Sequence, residues 1–169
     1  GERVKRSESI LFKLCYSFHK ILTYTFTGQS IKFGNYTCLT KSTIEKMLSD
    51  KATWSSFSGS LAKNCNDRAA IASERGKRYF GPSKMSFLNL IKHSLAIIGV
   101  FKFNVLIRSI LFILVYFFLI YQKISFIMFI PLILIILFLV STFIISKREN
   151  LYQLENSLEN ILNIDKIKS

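Results

Sequence analysis

This 169-residue chain lacks paired cysteines and histidine clusters and is short of acidic residues. Its three cysteines, Cys15, Cys38 and Cys65, are odd in number, far apart and never arranged as CxxC. With only His19 and His93 beside them, no zinc constellation can be assembled, and reduced thiols facing a cytosolic environment are expected. Ten Asp and Glu stand against 23 Lys and Arg, a net charge of +13. Asp50, Asp67 and Glu74 have no close acidic neighbour, Glu45 reads as part of a helix cap, and Glu155 and Glu159 read as a solvated helix stripe. Clustered oxygen ligands for a divalent metal are therefore not foreseen on this chain. Neither apolar run is expected to be a signal peptide, because both come too late and are too long. No nucleic-acid recognition motif accompanies the positive charge, which points it at anionic lipid headgroups and away from nucleic acid.

What is present is apolar and lies late in the chain. Ser109 to Gln122 and Ile124 to Ser146 carry no charged residue and are separated by Lys123 alone. The second run exceeds the roughly 20 residues needed to cross about 30 Å of hydrocarbon. The first reaches that length by borrowing Val105 to Arg108, with Arg108 expected to snorkel towards headgroups. Two helices, 104–122 and 124–146, should form a tight antiparallel hairpin. Lys92, Lys102 and Arg108 flank one outer end and Lys147 and Arg148 the other, so both termini are expected in the cytoplasm of a multi-pass protein of the inner (plasma) membrane.

Ahead of the hairpin, residues 8–26 place Ser9, Lys13, Ser17 and Lys20 at helical spacing among Ile10, Leu11, Leu14, Phe18, Ile21 and Leu22. This is an amphipathic helix, packed either on a soluble core or in the membrane interface, and Gly28 should end it. Ile31 to Leu39 reads as a short strand broken at Gly34 and Asn35. Ser42-Thr43-Ile44-Glu45 reads as a capping box for a helix through Met47 and Leu48. Trp54 to Lys63 reads as a loop with a short helix, and Ala70 to Ala72 as a brief strand. Gly81-Pro82 makes a turn, Ser83 can cap, and 84–101 forms a second amphipathic helix on which His93 is an interfacial polar residue. In the tail, Leu151, Leu154, Leu158 and Ile161 space an apolar seam for a short helix that packs on the protein or self-associates as a homo-oligomer.

Between Glu74 and Met85, Arg75, Lys77, Arg78 and Lys84 bracket the Gly-Pro turn, and Arg3, Lys5 and Arg6 repeat the theme at the start. Guanidinium and ammonium groups gathered near a turn suit phosphate, although such clusters also serve simply as solvated or lipid-facing surfaces. The order of these segments resembles the C-terminal part of family 2 glycosyltransferases of the polyprenyl- and dolichol-phosphate type. GERVKR, the amphipathic helix, Gly34-Asn35-Tyr36 with Leu39, and Phe57, Gly59 and Leu61 follow one another as in that family. The signature Arg-x-x-Gly-x-Ser-Lys is matched by Arg78, Gly81, Ser83 and Lys84.

The resemblance implies a sugar transferred from a nucleotide diphosphate to a polyprenyl-phosphate acceptor at the cytoplasmic face of the bilayer. Arg78, Ser83 and Lys84 would meet phosphates, and Arg3 and Arg6 would belong to the loop receiving the lipid phosphate. A divalent metal, Mg2+ or Mn2+, would be held by an Asp-x-Asp that this chain lacks, and Asn35 stands where many members carry an acid. The expected fold is membrane α-helical: a C-terminal remnant of a GT-A α/β domain (1–83), an interfacial amphipathic helix (84–103), a transmembrane hairpin (104–146) and a cytosolic tail helix (147–169). The chain, which begins at Gly1, is expected to be a fragment, inactive alone, whose missing half binds the nucleotide sugar. A non-enzymatic basic membrane anchor or scaffold is the alternative. A pore-forming hairpin ranks behind both, since the apolar runs carry almost no polar residue.

Overall fold

The computed structural model describes residues 2–3, 10–31, 36–73, 86–122, 125–157 and 159. In chain order these form β1 (Glu2–Arg3), α1 (Ile10–Thr27), α2 (Lys41–Leu48), α3 (Ala52–Ser55), α4 (Phe57–Asn64), β2 (Ala72–Ser73), α5 (Phe87–Gly99), α6 (Lys102–Ile120), α7 (Phe129–Ser146) and α8 (Leu151–Glu155). α6, and α7 together with the 3-10 turn Phe126–Met128 before it, are helices long and apolar enough to cross a membrane, with mean hydropathies of 2.4 and 3.0. The foreseen second span at 124–146 begins as α-helix only at Phe129. Pro131 explains the late start: it has no N–H, and its ring would clash with the Ile127 carbonyl one turn back. In the first turn of α7 the missing donor costs nothing. Tyr116 Oη donates to the Met128 carbonyl at 3.0 Å and ties the two helices together near the turn.

α1 ends where glycine permits. Gly28 has φ +75°, and its N–H bonds the Tyr24 carbonyl at 2.8 Å, closing the last turn. The helix is inverted relative to one packed on a soluble core. Leu14, Phe18, Ile21 and Tyr24 are each more than 60% exposed on its outer stripe. Thr23 and Thr27 are buried on the inner side, where Tyr16, His19 and Lys20 are half-buried. The inner polar groups are satisfied locally, as in the 2.6 Å bond from Thr27 Oγ1 to the Thr23 carbonyl.

Several local expectations shift. α2 is capped by Thr40, not by the foreseen Ser42: Thr40 is extended, and its Oγ1 accepts from the Thr43 N–H at 3.3 Å. Ser42 lies inside the first turn, and Glu45 points to solvent 4.0 Å from Lys41. Trp54 to Lys63 is two helices with no long loop, broken at Ser56, whose extended backbone lets its Oγ accept from the Gly59 N–H at 3.1 Å. α5 is capped by Ser86; the expected cap Ser83 lies outside the described residues. Tyr36 to Leu39 are not strand, and Lys32 to Asn35 lie outside the described residues. Ile31 instead packs on Ala52, Ala62, Val100 and Phe101. β2 overlaps the strand expected at Ala70 to Ala72 only at Ala72, starting two residues later and ending one later. The tail helix is described only over Leu151–Glu155, capped by Asn150.

Two small cores organise the assembly. Phe26, Ile98 and Val105 join α1, α5 and α6, with Leu22 and the α7 residues Ile135, Phe138 and Leu139 packed around them. Phe26 and Phe138 rings meet at 4.8 Å between centroids. α5 makes its broadest contact with α7, where Gly99 lies against the Thr142 carbonyl and Ser146. The second core, built around Ala52, Ala62, Val100 and Phe101, seats α3 and α4 on the α5–α6 corner. α8 packs on α3.

Candidate functional site

Polar chemistry gathers at the Lys102 end of the hairpin. Glu149, three residues past α7, has a side chain only 6% exposed. Lys102, the first residue of α6, donates to its Oε2 at 2.8 Å, and Lys51 lies 4.0 Å from the same oxygen. Beside them Asp50 accepts from Lys63 at 2.8 Å, from Asn64 Nδ2 at 2.9 Å and from the Ala52 N–H at 3.0 Å. Burial pushes the Asp50 carboxyl up, but the donors from Lys63, Asn64 and Ala52 outweigh it and hold the group below the usual carboxylate range. A pocket of about 490 Å³ runs between these groups, lined by Gln29, Lys51, Lys63, Lys102, Asn104 and Glu149. Both carboxylates are already neutralised by lysines. Among the described residues no three His, Cys, Asp or Glu converge on a point that could hold a metal ion.

The residues expected at the phosphate site are placed only in part. Arg3 lies in β1, and its side chain, with Arg6, Arg78, Ser83 and Lys84, falls outside the described residues. The backbone is described only up to the residues that precede the two basic segments. β1 and β2 pair in parallel, with Glu2 opposite Ala72 and Arg3 opposite Ser73. Parallel strands run the same way, so the sequences that follow them, Val4-Lys5-Arg6 and Glu74 onward, start from the same end of one ladder. Sequence reading placed both segments in one site only through the family resemblance; a pairing across 70 residues has no local signal. It also passed over Lys102, Asp50 and Glu149 as a group. The one available hint was an acid, Glu149, directly behind the cations Lys147 and Arg148.

His19 makes a second polar contact. Its Nδ1 lies 3.3 Å from Thr23 Oγ1 on the inner side of α1. Burial, and after it the charge of His93 on α5, lowers its pKa to about 4. Between pH 6.5 and 4 the unfolded chain takes this proton before the folded one does. The neutral ring's contribution is therefore complete above pH 6.5 and lost as pH falls towards 4. Asp50 acts in a lower window, losing its contribution only as pH drops below the ordinary carboxylate range. Burial lowers the His93 pKa in the same sense, so thermal unfolding in detergent should show a midpoint that falls from pH 7 to pH 4.5, and His19→Gln should remove part of that fall. A His19→Gln profile parallel to the wild type would refute the assignment.

No family model, no curated protein and no solved structure matches this chain.

Proposed function

We propose that this chain is the membrane-anchoring C-terminal part of a glycosyltransferase that moves a sugar from a nucleotide-sugar donor to a polyprenyl-phosphate type lipid at the cytoplasmic membrane face. The observation that carries the reading is the parallel ladder, which starts the Arg3–Arg6 segment and the Arg75–Lys84 segment from one end of a single short sheet. Together with the ordered signature Arg78, Gly81, Ser83 and Lys84, it supports a common phosphate site. Arg78 would grip two phosphate oxygens with its fork, Lys84 would add a point charge and Ser83 a hydroxyl donor, while Arg3 and Arg6 would meet the lipid phosphate. The hairpin supports an anchor, and the outward apolar stripe of α1 supports contact with acyl chains, since water would leave Leu14, Phe18 and Ile21 uncovered. The cation asymmetry around the hairpin favours both termini in the cytoplasm. A divalent metal would neutralise the departing diphosphate in such an enzyme. The described carboxylates Asp50 and Glu149 do not suit it, being bound to lysines, so no step is assigned to them.

Sugar transfer to a polyprenyl phosphate by the intact enzyme tests the reading. Arg78→Ala and Lys84→Ala should each slow transfer about tenfold or more, from lost charge-assisted bonds of roughly 1.5–3 kcal/mol. Membrane insertion should stay unchanged, and Lys77→Ala, outside the signature, should cost little. Unaltered turnover by both signature variants would dismiss the proposed roles.

A further inference from the structure

Arg108 is the sole charged residue of α6 beyond Lys102, and it stands six positions further along the helix, about 9 Å at 1.5 Å per residue. Its Nη1 donates to the Thr25 carbonyl at 2.8 Å and to the Tyr24 carbonyl at 3.4 Å. One turn earlier, Asn104 Nδ2 reaches the Thr27 carbonyl at 3.4 Å. Asn104 thus serves the Thr27 carbonyl and Arg108 the Thr25 carbonyl, while the Tyr24 carbonyl is shared with the Gly28 N–H; at this end of α1 the helix dipole places about half a negative charge. Gly28 makes the arrangement possible: a Cβ there would stand 2.7 Å from Arg108 Nη2.

This contact uses only part of the guanidinium. No carboxylate pairs with Arg108 among the described residues, and neither Nη2 nor Nε has a hydrogen-bond partner among them. The residue is exposed, and α6 also exposes the apolar side chains Phe103, Ile107 and Leu111. Three guanidinium N–H donors, one on Nε and two on Nη2, are therefore left without a partner among the described residues on an exposed side chain. A cation in such a setting is stabilised by an anion that can travel at the edge of the hydrocarbon, and a phosphate offers two oxygens that match the fork. The pocket between Lys51, Lys63 and Lys102 is the rival place for an anion, but Glu149 and Asp50 already occupy those lysines.

We infer that Arg108, wedged against the end of α1, is a binding site for a lipid-borne phosphate at the cytoplasmic end of the hairpin. The inference rests on the hairpin crossing the membrane; it does not need the sugar-transfer reading, and its test involves no sugar.

Native mass spectrometry of the detergent-purified chain, titrated in separate arms with phosphatidylglycerol, polyprenyl phosphate and inorganic phosphate, reads the site directly. The wild type should retain one or both lipids, and the preferred one identifies the source. Arg108→Gln should weaken that binding about tenfold, as expected for one lost charge-assisted fork. Arg108→Lys should fall between them, and Lys51→Gln should bind as the wild type does. Equal lipid binding by Arg108→Gln, or displacement of both lipids by inorganic phosphate at equal concentration, would overturn the site. Should Arg108→Gln lose helicity, a photoreactive phosphatidic acid on the wild type decides. Crosslinks within residues 103–112 or 24–28 support the site, and crosslinks confined to other segments defeat it.

Discussion

Glu149→Ala will destabilise the base of the hairpin by about 3 kcal/mol. The carboxylate is 6% exposed and is the near partner of Lys102, whose own side chain is only 21% exposed. Removing it leaves an ammonium in a closed site with neither counter-charge nor full hydration. The lower end of the usual range for breaking a buried pair applies, because Lys102 retains a fifth of its surface. Lys51→Ala is the contrast: that pair is 4.0 Å long with Lys51 60% exposed, so the loss should stay below about 1 kcal/mol. Glu149→Ala with Lys102→Met should recover most of the stability, since removing both charges removes the desolvation cost as well. Thermal midpoints in detergent decide between these outcomes. If Glu149→Ala were as mild as Lys51→Ala, the pair would not hold this junction together.

Gly59→Val should cost about 3 kcal/mol through overpacking. A Cβ at position 59 would meet Val100 Cγ2 at 2.8 Å, the Ile97 carbonyl at 3.2 Å and Ser56 Oγ at 3.2 Å. The first contact forces a stiff β-branched side chain aside, the second is backbone, and the third disturbs the cap of α4. Gly59→Ala should be milder, about 1 kcal/mol, because alanine's better helix propensity offsets part of the crowding. Gly99→Ala is the control. Its Cβ would stand 3.5 Å or more from its neighbours, an ordinary contact, so a change within about 0.5 kcal/mol is expected. Chemical unfolding followed by helicity reads all three, and equal losses at Gly59 and Gly99 would contradict the close seating of α4 on α5.

Hydropathy is local and additive, so the two apolar helices, the turn near Lys123 and the amphipathic nature of α1 and α5 could be read from residue order alone. The end of α1 was legible for a related reason: a positive φ costs glycine little, and Gly28 sits where the apolar pattern stops. Caps were harder. Thr40, Ser42 and Ser86 all have suitable hydroxyls, and only the extended backbone at Thr40 and Ser86 marks those two as caps. The start of α7 turned on where one proline could be tolerated, which sets Phe129 and not Ile124 as its first α-helical residue.

Tertiary structure alone decided the rest. Glu149 meets Lys102 across 47 residues, and Arg108 meets Thr25 across 83, distances over which no periodicity carries a signal. Arg108 read from sequence as a snorkelling cation; that its guanidinium also reaches the carbonyls at the end of α1 follows only from the docking of α1 against α6. The inverted faces of α1 likewise follow from where α5, α6 and α7 stand, since composition shows that a helix has two faces but not which one the protein covers. Glu2 and Arg3 could have paired with many segments, and the ladder with Ala72 and Ser73 exists because the chain between them folds back through α1 to α4. Local chemistry determined which elements form; which charges neutralise one another depended on the packing that brings distant elements together.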